Sequence, residues 1–217
     1  HLSDTENELF ANETIEYQNN SSDTLAEIYF HLWPNAYKND ETAMAKQLLE
    51  NGETQFYYSS ENKRGYIDGL KFSVNQQAAV FEFDKSFIDI GKLILNEPLL
   101  PGQSITINTP FHVKLPSAEI SRLGYLGQSY MISQWYPKPA VYDQKGWHTM
   151  PYLTEGEFYS EFANFDVKIT IDKNYILGGS GYLQNGNEIG YNYQDDGVKV
   201  SIPKKQKTLT WHFIAPN

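Results

Sequence analysis

Apolar residues at every second position recur along this chain, and that period of 2 decides the class of fold. Phe165, Val167, Ile169 and Ile171 alternate with Asp166, Lys168 and Thr170, the mark of a strand with one buried face. The same rhythm runs through Leu70, Phe72 and Val74, then Ala79, Phe81 and Phe83, then Leu93 and Leu95. It continues through Ile105 and Ile107, Phe111, Val113 and Leu115, and closes with Leu209, Trp211 and Phe213. Near the start, Glu13–Gln18 alternates after a loose polar stretch over 1–12 and stops at Asn19-Asn20-Ser21-Ser22-Asp23. Leu25–Trp33 reads as a strand bulky on both faces and ended by Pro34. Tyr175–Leu177 and Tyr182–Leu183 read as short strands, as do Val198, Val200 and Ile202 after the turn Asp195-Asp196-Gly197. Pro101-Gly102 predicts a turn with proline at its first corner, and Asn185-Gly186 predicts a hairpin.

Lys38–Gly52 reads instead as the one helix. Met44 with Leu48 and Ala45 with Leu49 form an apolar stripe, Asp40 is the expected cap, and Asn51-Gly52 a stop. One short helix among many strands, with no strand-helix-strand rhythm, predicts an all-β chain. The expected architecture is a β-sandwich or open twisted antiparallel sheets, as a single domain over 1–217.

The chain has 217 residues, no cysteine and a formal charge of −10. It is long enough to bury roughly 70% of its unfolded surface without staples. The missing cysteines remove disulfides, thiolate metal sites and cysteine nucleophiles together. An acidic chain is a poor partner for nucleic acid, and no apolar run reaches the ~20 residues of a membrane span. The chain opens at His1 without a basic and then apolar leader, so it is expected to be a processed or trimmed product.

From Tyr125 to Asp166 the alternation lapses into rings and prolines, including Tyr130, Trp135, Tyr136, Tyr142, Trp147 and Tyr152. Pro137 and Pro139 withdraw two backbone donors, so Ser133–Tyr142 is expected to leave any sheet it enters. A stiff aromatic loop on a sheet scaffold is a natural contact surface. Its rings could stack on sugars, as in a carbohydrate- or surface-binding module, or pack the loop onto its own sheet.

Other chemistry is thin. His31, His112 and His212 sit in strand-like segments, and no histidine pair has H-E-x-x-H spacing. There is no G-x-S-x-G elbow and no phosphate loop. Gly178-Gly179-Ser180-Gly181 lacks a following helix and reads as a bulge or bend. Glu155, Glu157, Glu161 and Asp166, with Phe158, Tyr159 and Phe162 as an apolar wall, could serve as paired carboxylates for glycoside hydrolysis. They could equally bind calcium or simply be solvated.

The run Tyr130-Met131-Ile132-Ser133-Gln134-Trp135-Tyr136-Pro137 is followed by Glu157-Phe158-Tyr159 and by Phe165-Asp166-Val167-Lys168-Ile169-Thr170-Ile171. Together they resemble the N-terminal domain of aminopeptidase-N-like zinc metallopeptidases, the gluzincins, and their bacterial branch above all. Thr14-Ile15-Glu16-Tyr17 and Leu25 to Asn35 extend the resemblance, which runs from about Glu13 to Phe213. It implies a large saddle-like β domain beside a separate catalytic domain that carries zinc. The H-E-x-x-H and G-x-M-E-N motifs of that second domain are not in these residues. The resemblance therefore implies a chain without catalytic or metal residues of its own, excised before its catalytic domain. Its partners would be that domain of the same polypeptide and a peptide substrate. Gln134 matches the family's glutamine that lines the pocket for the first substrate residue. Tyr136 stands where a glutamine or glutamate usually meets the substrate's ammonium group; a phenol brings no opposite charge there. Trp135, Pro137 and Tyr142 would belong to the surface facing the catalytic domain, expected to be more apolar than a free surface. A tyrosine-rich, cysteine-free composition suits a periplasmic or extracellular location.

Overall fold

Alternating apolar residues become strands here because each run has a sheet to bury one face against. The computed structural model describes residues 1–120, 122–156, 158–191 and 205–217. The expected strand at Val198, Val200 and Ile202, its turn Asp195-Asp196-Gly197, and Glu157 lie outside the described residues. In chain order the strands begin with β1 (Leu2–Ser3), β2 (Glu8–Gln18) and β3 (Leu25–His31). β4 (Tyr66–Asp68), β5 (Ser73–Val74), β6 (Gln77–Ala78), β7 (Val80–Phe83), β8 (Ile90–Leu99) and β9 (Ser104–Lys114) follow the helix α1 (Ala43–Glu50). Then come β10 (Gly124–Leu126), β11 (Ser129–Met131), β12 (Lys138–Pro139), β13 (Val141–Asp143) and β14 (Gly146–His148). β15 (Phe165–Asp172), β16 (Tyr182–Leu183), a single helical turn α2 (Gly186–Ile189) and β17 (Thr208–Ala215) complete the series. The fold is all-β with antiparallel sheets. Two compact units divide the chain, Glu8–Glu161 and His1–Asn7 with Phe162–Asn217.

In the larger unit, β9 pairs along its length with β2, from Glu8 opposite Lys114 to Gln18 opposite Ser104. It also carries β4 and β5. β2 begins at Glu8, earlier than the polar composition of 1–12 predicted, because β9 offers an unbroken ladder to pair with. A second sheet has the order β12-β3-β8-β7. Ile28, Phe30, Leu93 and Leu99 of the second sheet meet Ile107 and Val74 of the first, and Phe72 just before β5, in one buried cluster. Each such side chain contributes about 1.5–3 kcal/mol of burial. Ala79 and Phe81 pack against this cluster, whereas Phe83 is 53% exposed near the end of the edge strand β7.

Two further local expectations of the larger unit are corrected. α1 is capped by Thr42, whose hydroxyl accepts from Ala45 N at 3.2 Å and donates to Ala36 O at 2.8 Å. Asp40 lies too far upstream to serve. Met44, Ala45 and Leu48 are buried and Leu49 is not, so the stripe is narrower than predicted. The stop is as expected: Gly52 takes φ +82, and Glu53 N donates to Leu48 O at 2.8 Å. Strand β3 ends at His31, and Pro34 opens a 3-10 turn over Trp33–Tyr37.

The second correction concerns the prolines. Lys138–Pro139 does enter a sheet, pairing with His31 and Phe30 at the edge. Ala140 N donates to Tyr29 O at 2.8 Å, so the even-numbered donors point at β3. With a period of 2, the nitrogen of Pro139 then faces outward, where a lost N–H breaks no ladder bond, and Pro137 precedes the strand.

In the smaller unit β17 lies between β15 and β16, with Phe165 opposite Ala215 and Asp172 opposite Thr208. Ile171, Leu209, Trp211 and Phe213 are buried, while Phe165 is 37% exposed. On the other face Thr170 and Thr210 hydroxyls bond at 2.8 Å, and His212 Nε2 meets Asp166 at 2.8 Å. Tyr175–Leu177 is not a strand, and Asn185-Gly186 is not a hairpin turn. Asn185 instead donates through Nδ2 to Thr210 O and accepts from His212 N, which ties it to β17 and starts α2.

Candidate functional site

The candidate site is built on the loop after β11. Ser133 Oγ donates to Arg122 O at 2.9 Å, closing the base of the loop. Gln134 follows in the left-handed region at φ +53, where a side chain other than glycine is strained. Its Oε1 accepts a 2.7 Å bond from Lys138 Nζ, a contact that closes the turn through Pro137. Lys138 in turn sits 3.9 Å above the Trp33 ring, a cation–π arrangement. Burial pulls the Lys138 ammonium down to about 8.

Trp33 is the hub of the loop's packing. His31 stacks on it at 4.6 Å, and Phe158 lies 4.7 Å away. Its Nε1 donates to Met150 O at 3.2 Å, and His31 Nε2 accepts from Met150 N at 3.3 Å. His31, the last residue of β3, is 1% exposed. Burial first, then the nearby Lys138 charge, lowers it to about 4, so the ring is neutral and Nε2 can accept. The segment 150–155 is further held by Asp89 and by Gln47, whose amide bonds Thr154 and Glu155.

Of the predicted contact residues, Gln134, Trp135, Tyr136 and Tyr142 are half-buried and Pro137 is buried. Trp135 leans on Phe111 of β9 and on Tyr136, each at 5.7 Å between ring centres. Burial, and then the Glu13 charge, push the Tyr136 phenol up to about 12. Glu13 itself is raised by burial to about 8, and its Oε2 has no hydrogen-bond partner among the described residues. Tyr142 donates to Asp23 Oδ2 at 2.8 Å and meets Trp147 edge-on at 5.0 Å. Tyr142 and Trp147 both pack against the sandwich core, and Tyr152 is 1% exposed. These three rings fasten the loop to its own scaffold.

Glu157 of the four candidate carboxylates lies outside the described residues. Glu155 and Glu161 are exposed, and Asp166 belongs to the His212 pair in the smaller unit. The expected wall is engaged elsewhere, with Phe158 on Trp33 and Tyr159 on His148. Among the described residues no three His, Asp or Glu side chains gather as metal ligands. Lys138, Glu13, Asp89 and Gln47 escaped the sequence reading. Only Lys138, charged and set between two prolines, carried a local signal.

No protein-family model matches the chain, and no curated protein matches it. Solved structures do resemble it. One is an M1 zinc metallopeptidase of Deinococcus radiodurans, a mutant bound to a Tyr-Ser-Ala substrate, with 12% identity and a TM-score of 0.48. The match covers 97% of this chain and 35% of that one. A mutant M1 zinc metallopeptidase of the same organism gives 13% identity and a TM-score of 0.47, covering 96% of this chain and 35% of that one. The unmutated metallopeptidase of the same organism gives 11% and 0.45, covering 94% and 34%. The chain thus spans about a third of the length of the solved structures it matches. Those structures are zinc metallopeptidases, as are the proteins that residues 130–171 resemble.

Proposed function

We propose that this chain is the substrate-lining, itself non-catalytic β portion of a zinc-dependent aminopeptidase acting on peptides. The observation that carries it is Gln134. The glutamine whose place the residue pattern assigns to a substrate pocket is held on a strained, pinned, half-exposed turn. Strain retained at one polar side chain, while the neighbouring rings fix the loop, is the arrangement of a preorganised contact. In this reading zinc and the hydrolytic groups belong to a catalytic domain of the same polypeptide. Trp135 lies towards that domain, whereas Pro137 is buried and Tyr142 packs on its own core, so neither belongs to that face in this reading. The parent works in the periplasm or outside the cell.

The coding sequence beyond Asn217 tests the reading first: an H-E-x-x-H motif is expected, and its absence over several hundred codons overturns it. In that longer protein Gln134→Ala should lower kcat/KM by about 10-fold, near the loss of one hydrogen bond to a charged or strongly polar group. An unchanged kcat/KM removes Gln134 from the pocket. The carbohydrate-binding alternative is weaker, because Tyr142, Trp147 and Tyr152 are spent on packing.

A further inference from the structure

A glutamine amide has an accepting end and a donating end, and its neighbours decide which one it shows. Lys138 Nζ lies 2.7 Å from the Gln134 amide. An ammonium can only donate, so the atom facing it must be Oε1; turning the amide over would set donor against donor. The Trp33 ring beneath Lys138 at 3.9 Å and the partial burial of both residues leave the ammonium little room to swing away. The titratable group of β3 in this stack, His31, is neutral and does not compete for the charge. We infer that Lys138 is a positioning residue: it holds the accepting end of Gln134, so the loop offers the Nε2 donors and selects a hydrogen-bond acceptor, such as a peptide carbonyl oxygen, over an ammonium group.

The inference rests on the proposed substrate-lining role and narrows it. The free lone pair of Oε1 lies beside a positive charge, which repels a second cation approaching it. Gln134 therefore does not replace the missing carboxylate at position 136. It grips the backbone of the bound peptide, and the peptide's amino terminus is met elsewhere.

The test follows the Gln134 side-chain amide by nitrogen-15 NMR in the 217-residue chain. Two probes are used: N,N-dimethylacetamide, which only accepts, and methylammonium, which only donates. At pH 7 the first is expected to shift the Gln134 signals and the second to leave them in place. Lys138→Met should let methylammonium shift them several-fold more, and Lys138→Arg should restore the original preference. Raising the pH through about 8 removes the same charge in place. Glu13 beside Tyr136 titrates in that range too, so the step is read in Glu13→Gln, where the Gln134 signals should move and those of Glu13→Gln with Lys138→Met should not. This arm stands even where Lys138→Met fails to fold. Signals that ignore the pH step, or that respond to methylammonium equally with and without Lys138, overturn the inference. Silence toward both probes with the pH step intact overturns the substrate-lining reading and the selectivity, while the clamp itself survives.

Discussion

Asp89 Oδ2 accepts the backbone N–H of Tyr152 at 2.6 Å, in a site where Asp89 is 2% exposed. The backbone carbonyl of Asp89 accepts from Leu32 N at 2.7 Å, so one residue joins the segment after β14 to the end of β3. Asp89→Ala leaves a buried donor unpaired and should cost about 2–3 kcal/mol, read as a lower urea midpoint. Burial raises the Asp89 carboxyl from 3.8 to about 6. Its contribution to stability is present below pH 3.8 and lost as pH rises through 6. Asp89→Asn should therefore be less costly at pH 8 than at pH 5, and a constant difference between the two would contradict the assignment.

Glu13 should show the same sign over a wider window. Its carboxyl rises from 4.5 to about 8, so the wild type loses stability between those limits as the buried group must ionise. Glu13→Gln removes that loss. The variant should gain about 2–4 kcal/mol on the wild type between pH 5 and pH 9, within the few pK units that a buried carboxyl can shift. Parallel denaturation curves at the two pH values would show that Glu13 titrates normally.

Thr42 and Asp40 make a sharp pair for mutation. Thr42→Ala removes a cap and a buried hydroxyl bond to Ala36 together and should cost about 2 kcal/mol. Asp40→Ala should stay within about 0.5 kcal/mol. Thermal melts that rank the two in the opposite order would restore Asp40 as the cap.

Trp147→Ala should act on folding before it acts on any ligand. The ring packs on Tyr29 and Tyr142 and against the core. Its loss should cost about 3 kcal/mol, as large aromatic truncations do. A variant as stable as the wild type, yet impaired in binding a glycan, would instead support the carbohydrate-binding reading.

Strands were legible wherever burial alternates along one sheet, as at Phe165–Ile171 and Leu209–Phe213. The resemblance also pointed to the loop around Gln134 before any geometry was known. What escaped was set by partners distant in the chain. Asn185-Gly186 looks like a hairpin until β17 claims the Asn185 side chain. Two prolines look like an exit from the sheet until the direction of the Ala140 donor is known. Lys138 and Glu13 owe their altered acidity to burial by other elements, which no local pattern encodes.

The outward-facing nitrogen of Pro139 has a consequence for traffic past the loop. That flank of the short edge strand lacks the amide hydrogen with which a passing extended segment would zip itself on. Foreign strands find no template there, which protects the protein from sticking to itself along this margin. Whatever runs beside Gln134 must be recognised by side chains, one contact at a time.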